Sequence, residues 1–171
     1  MRDAYHMAHD PSILHPTVRS ALNAASVSYE TVECREDLAD TAEFCANYGV
    51  DVSDACNTIV VALKTTPRSY VACLVRADTK IDVNHKLSKI VGIRRLSFAS
   101  AEEAAELSGQ AIGGVTLVGL PADVPLLIDE RVVERQSIII GGGNRTSKVR
   151  VDPRELTKLP NARVADIAVP R

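Results

Sequence analysis

Two glycine loops and two polar residues on apolar runs concentrate the chemical potential of this chain. The loops read Gly113-Gly-Val-Thr-Leu-Val-Gly119 and Gly141-Gly-Gly-Asn-Arg145. Asn57 opens the valine-rich run 57–63, and Asp129 closes the run Leu127-Ile-Asp129. Glycines at strand ends let backbone N–H groups approach a ligand closely, because no Cβ stands in the way. A carboxylate at the end of an apolar strand needs a donor partner. Every one of these features also has a plain structural reading. The loops can be turns that require glycine backbone angles, and Asp129 can serve loop amides.

Other chemistries have no support. The chain has no Gly-x-Ser-x-Gly elbow, Walker loop or dinucleotide fingerprint. His6, His9, His15 and His85 share no metal-ligand spacing, and His85 is expected to face solvent. Cys34, Cys45, Cys56 and Cys73 form no Cys-x-x-Cys pair and are expected to be free, buried thiols. Neither a metal nor an organic cofactor is expected.

The 171 residues are 46% hydrophobic and 25% charged, an ordinary composition for one domain burying roughly 70% of its unfolded surface. No apolar run approaches the ~18 residues that a membrane span needs. The opening Met1-Arg-Asp-Ala-Tyr-His lacks the apolar core of a secretory signal, so a cytoplasmic location is expected. A net charge of −2 conceals an asymmetry: residues 28–56 sum to −7, residues 57–110 to +3 and residues 145–171 to +4. That distribution permits a polyanionic partner, while a solvated mixed surface explains it equally well.

The elements that must position these residues are legible in outline. The segment before Ser12 is expected to be a frayed end. Pro16 starts a helix bearing Val18, Ala21, Leu22 and Ala25 at helical spacing. Residues 28–34 alternate as a strand, and 41–48 form a helix capped by Asp40 or Thr41 and ended by Gly49. Strands 57–63 and 70–76 flank a turn through Thr65-Thr-Pro-Arg68. Asp82 caps a helix through Leu87 and Ile90, 94–98 is a strand, and Ser100-x-x-Glu103 is a capping box. Strands follow near 111–115, 125–128, 136–140 and 148–151. Asp152, Pro153 and Glu155 start a last short helix, and 164–168 can close the sheet. Strands dominate the later chain with helices at irregular intervals. That order predicts an α/β class of the mixed kind: a single domain with a mixed, partly barrel-like sheet and flanking helices.

In that order and spacing, the chain from about residue 25 to 168 resembles the YbaK-type aminoacyl-tRNA deacylases, whose domain is also the editing insertion of bacterial prolyl-tRNA synthetases. The likeness lies in Asp82-Val-Asn-His-Lys-Leu-Ser-Lys-Ile-Val-Gly92 leading into Arg94-Arg95-Leu96, in the first glycine loop, and in Leu127-Ile-Asp129. It continues through the second glycine loop and Leu159-Pro-Asn-Ala-Arg-Val-Ala-Asp-Ile167. Two departures stand out. Asn57, before Thr58 and Ile59, occupies the place of a lysine typical of members that hydrolyse aminoacyl-tRNA, and Leu117 replaces the usual loop proline.

The resemblance implies a free-standing editing protein in the cytoplasm that hydrolyses the ester joining a wrong amino acid to tRNA. The partner it implies is the aminoacylated 3′ end, with no membrane and with a homo-oligomer left open. An ester needs an attacking oxygen, donors for the developing oxyanion, and orientation. The catalytic candidates are then Asn57 and the amides of Gly113 and Gly114. The substrate-binding candidates are Thr116, Asp129, Gly142, Gly143 and Arg145, with Asp129 orienting the substrate ammonium. Arg145, Lys148 and Arg150 are candidates for tRNA phosphates. Asn57 can donate a hydrogen bond but carries no charge. Lys64, seven positions on and so on the opposite face of a regular strand, is a weak substitute. A second possibility is a weakened or inactive member that binds an aminoacyl or nucleotide end or a protein partner. A third is a hydrolase of other small esters.

Overall fold

A computed structural model describes residues 7–171, and the expectations for the residues before Met7, His6 included, lie outside that range. In chain order the elements are β1 (Met7–Ala8), α1 (Pro16–Ala24), β2 (Glu30–Glu33), α2 (Thr41–Tyr48), β3 (Cys56–Leu63) and β4 (Ser69–Arg76). They continue with β5 (Thr79–Ile81), a π-helical turn (Val83–Leu87) running into α3 (Ser88–Val91), β6 (Leu96–Phe98), α4 (Ala101–Ser108) and β7 (Leu126–Asp129). Last come α5 (Glu130–Val133), β8 (Ile138–Gly141), β9 (Ser147–Val151), a 3₁₀ helix (Pro153–Lys158), β10 (Ala162–Ala165) and β11 (Ala168–Pro170).

The strands form a mixed five-stranded sheet in the order β10-β7-β4-β3-β6, an antiparallel four-stranded sheet β1-β2-β9-β8, and the pair β11-β5. β7 runs parallel to both β4 and β10, whereas β3 is antiparallel to β4 and β6. A parallel bridge between Ala55 and Ile139 ties the start of β3 to β8, so the two larger sheets are joined there. The arrangement is the mixed, partly barrel-like sheet with flanking helices expected from the sequence, and it does not close into a barrel.

Local chemistry explains the helix ends nearest the cleft described below. Ser100 accepts from the Glu103 amide, and the Glu103 carboxylate accepts from the Ser100 amide, closing the capping box of α4. α1 begins at Pro16 and buries Val18 and Leu22 against a core that includes Leu117, Ile138, Ile140 and Val149. α2 buries Phe44 and Cys45, and Phe44 packs in one cluster with Val32 and Ile139 of the four-stranded sheet and with Cys34 just past β2.

Three local expectations are corrected. Residues 7–13 are not frayed: Met7 and Ala8 pair with Val32 and Thr31, and Pro11–Ile13 form a 3₁₀ turn capped by Asp10. Asp40 stands at the start of α2 but makes no side-chain cap; its carboxylate turns instead to Arg145, 3.0 Å away. Residues 111–115 do not form a strand. Gly113 takes φ +80°, a left-handed backbone angle incompatible with a regular strand, and the Gly114 amide folds back to the Ala111 carbonyl. The four cysteines are free and buried, as expected. No helix among the described residues is long and apolar enough to cross a membrane.

Candidate active site

β3 carries Asn57 and Thr58 to the junction of the two sheets, and the first glycine loop crosses their path. With no strand partner, the loop is held by side chains. Gln110, buried at the end of α4, accepts from the Thr116 amide and donates to the carbonyls of Thr116 and Val118. Thr58 Oγ1 accepts from the Leu117 amide at 2.9 Å. Neither Gln110 nor Thr58 was singled out in the sequence. A polar residue just past a helix end gives no periodic signal, and its task is visible only once the loop lies beside it.

The second glycine loop braces the first. A Cβ on Gly114 would lie 2.5 Å from the backbone carbonyl of Asn144, so only glycine permits this approach. Gly143 O accepts from the Ala111 amide, Gly142 O accepts from the His15 amide, and both glycines are buried. The Arg145 guanidinium bonds Asp40 and the carbonyls of Glu36 and Gly113, fastening the loop to the start of α2.

These contacts enclose a cleft of about 290 Å³. Asn57, Thr58, Gly113, Gly114 and Val115 line one part of it; Ala39, Asp40, Thr41, Phe44 and Lys148 line another. The catalytic candidates Asn57, Gly113 and Gly114 are therefore brought together. Thr116, Asp129, Gly142, Gly143 and Arg145 do not line the cleft. Thr116 is fully buried beneath the loop, and its Oγ1 has no partner among the described residues. Arg145 stands behind the rim. Asp129 is fully buried at another point of the molecule, accepting from the amides of Ile167, Ala168 and Arg131 and from the Arg131 guanidinium. Lys64 is exposed beyond the end of β3, away from the cleft.

Donor availability separates the loop residues. The Gly114 amide is engaged by Ala111 at 3.0 Å, whereas those of Gly113 and Val115 have no hydrogen-bond partner among the described residues. Thr41 Oγ1 donates to Asn57 Oδ1 at 2.5 Å, which leaves the Asn57 Nδ2 group without a described acceptor. The cleft thus offers N–H donors from a backbone loop and from a side chain fixed by a neighbour, an arrangement able to receive a carbonyl oxygen as it gains negative charge.

Nucleophilic chemistry by the protein is not favoured. Cys56 lines the cleft, but burial pushes its thiol up to about 12, so it stays protonated near neutral pH. Among the described residues no histidine lines the cleft, and Asp40, the one carboxylate that does, is paired with Arg145. Of the cations considered for a polyanion, Arg145 is tied into the loops and Arg150 donates to Ser137. Lys148 turns inward to the cleft, with Nζ 2.6 Å from the Ala39 carbonyl and 5.2 Å from the centre of the Phe44 ring.

Comparison with known proteins assigns the family. The sequence model for the aminoacyl-tRNA editing domain matches residues 35–159, and the chain belongs to that family. EbsC of Enterococcus faecalis, provisionally described as a Cys-tRNA(Pro)/Cys-tRNA(Cys) deacylase, is 23% identical over 133 residues, covering 77% of this chain and 79% of EbsC. Among solved structures, one provisionally described as a trans-editing enzyme for prolyl tRNA synthetase superposes with a TM-score of 0.78 at 28% identity, covering 91% of this chain and 99% of that one. The hypothetical protein APE2540 superposes with a TM-score of 0.79 at 27% identity, covering 90% and 99%.

Proposed function

We propose that this editing domain acts in trans on mischarged tRNA and cleaves its aminoacyl ester in the cleft between Asn57 and the first glycine loop. The observation that carries the reading is the convergence of three uncommitted donors, Gly113 N–H, Val115 N–H and Asn57 Nδ2, on one cleft that belongs to an editing fold. A water adds to the ester carbonyl carbon, and the donors receive the oxygen that becomes negative. The bond to the ribose oxygen then breaks, that oxygen takes a proton, and free amino acid leaves. With no histidine among the described residues of the cleft and Asp40 paired, the proton acceptor comes from the substrate: the ribose hydroxyl beside the ester or the amino group of the amino acid.

The size of the cleft, at the low end of the ~300–1,000 Å³ usual for ligand pockets, favours a small amino-acid side chain. By analogy with the relatives, the carrier is tRNA(Pro), and the setting is the cytoplasm, where tRNA is charged. Asn57 stands where the wider family places lysine; in this reading it supplies the hydrogen bond without the charge.

Release of free amino acid from a panel of mischarged tRNAs tests the proposal. Activity on at least one small amino acid is expected, and Asn57→Ala should lower it about 10²–10³-fold while the fold survives. Inactivity of the unaltered protein on every member at high enzyme concentration overturns the enzymatic reading. Retained tRNA binding in that case would identify a binding member of the family.

A further inference from the structure

The cleft contains a charge that the donor set above leaves unused. Lys148 is its only basic lining residue among the described residues, and it arrives from β9, a strand remote from both Asn57 and the first glycine loop in sequence. Its register partners are Val32 in β2 and Gly141 in β8. Side chains of paired residues share a face of an antiparallel sheet, so the glycine leaves the lysine stem unobstructed on the β8 side, while Val32 flanks it on the other. The stem passes beneath α2, and the ammonium is fixed by the Ala39 carbonyl at the cleft wall. One carbonyl uses one of three ammonium protons and gives no compensating negative charge.

The surroundings do not neutralise this cation. Cys34 and Cys45 are the titratable groups beside it, and burial raises both thiols, keeping them uncharged. Asp40 is the nearby carboxylate, but it is largely exposed and held by Arg145, itself a further positive charge. Burial correspondingly lowers the Lys148 ammonium from its ordinary value. Keeping an incompletely paired cation in a half-buried cleft costs folding energy, and such a group is expected where it meets an anion.

We propose that Lys148 is the anion anchor of the cleft, binding a negatively charged oxygen of the substrate. This rests on the editing reading above and adds to it the one charged contact that Asn57 cannot make. Two oxygens of an aminoacylated 3′ end have the required chemistry: the phosphate of the terminal nucleotide, charged before reaction, and the ester carbonyl oxygen, charged only as water adds.

Lys148→Met, which keeps the length and apolar stem, is the test. Measured on the best mischarged tRNA, kcat/KM should fall about 10²-fold or more, with the melting temperature unchanged or raised. A fall carried by KM identifies the phosphate, and a fall carried by kcat identifies the carbonyl oxygen. Lys148→Arg should keep most of the activity and extend it to higher pH. The lysine loses its proton as pH rises through its lowered pKa, whereas a guanidinium does not. The double variant Asn57→Lys with Lys148→Met, which moves the cation across the same cleft, should recover activity. A loss below tenfold in Lys148→Met, or an alkaline limb unmoved in Lys148→Arg, overturns the proposal. Should the unaltered protein prove inactive, calorimetry with a 5′-phosphorylated aminoacyl-adenosine amide separates the two failures. Weaker binding by Lys148→Met would uphold the anchor without the reaction, and equal binding would overturn both.

Discussion

Asn57 and Asp129 are both polar residues on apolar strands of the same sheet, yet they occupy opposite circumstances. Asp129 is fully buried and accepts from three backbone amides and a guanidinium, so its acceptors are filled by groups that would otherwise be unpaired at the junction of β10 and β11. Asn57 is half-buried in an open cleft, with its acceptor occupied by Thr41 and its donor idle. The two glycine loops differ in the same way. The second gives its carbonyls and van der Waals space to neighbouring backbone, while the first keeps two amides uncommitted. Polar residues close to apolar strands are therefore informative only together with an account of which hydrogen-bonding groups remain unused.

The strongest test of this contrast is Asp129→Ala. Removing a buried, fully bonded carboxylate strands the amides of Ile167 and Ala168 and the Arg131 charge, and should cost about 3–5 kcal/mol in denaturant unfolding. The deacylation rate per folded molecule should be unaltered. A stable Asp129→Ala protein without activity would erase the distinction between the two residues.

Gly114→Ala should act in the middle range. The added methyl would meet the Asn144 backbone at 2.5 Å, and the loops would have to part, at about 1–3 kcal/mol. Because the cleft is built on that approach, activity should fall by more than stability alone explains. Loss of stability without loss of activity would break the link between the loop brace and the site.

The smallest effect concerns Glu103, at the edge where α4 lines the cleft. The Arg68 guanidinium, then the Tyr70 hydroxyl, hold its carboxyl down to about 2, well below the usual value of 4.5. A depressed carboxylate stabilises the fold fully above the unfolded value and loses that contribution as pH falls from about 4.5 towards 2. Glu103→Gln should flatten the stability profile in that window and lower stability slightly at neutral pH, where the carboxylate's contribution is fully present, as read from chemical denaturation across pH.

Much of the framework was legible from local rules. Pro16, the alternation in 28–34, Gly49 after α2, and Ser100 with Glu103 each impose a boundary through backbone angles or capping bonds that operate within a few residues. The order of glycine loops and strands sufficed for the family, since order and spacing are properties of the chain itself. The irregular path of 111–118 was not legible: its amides are satisfied by Gln110 and Thr58, and the latter contact spans 59 residues.

What the sequence alone determined was therefore the kind of elements, their succession and the family they belong to, because periodicity, caps and glycine spacing are local. What only the tertiary structure decided was which groups stay free and which face a common opening. Lys148 shows the reason. As a residue in an alternating strand it reads like any surface cation, and only the packing of α2 over β9 turns its ammonium into the cleft beside Asn57. Hydrogen bonds and charges act over a few ångströms in space, and distance along the chain does not report that proximity.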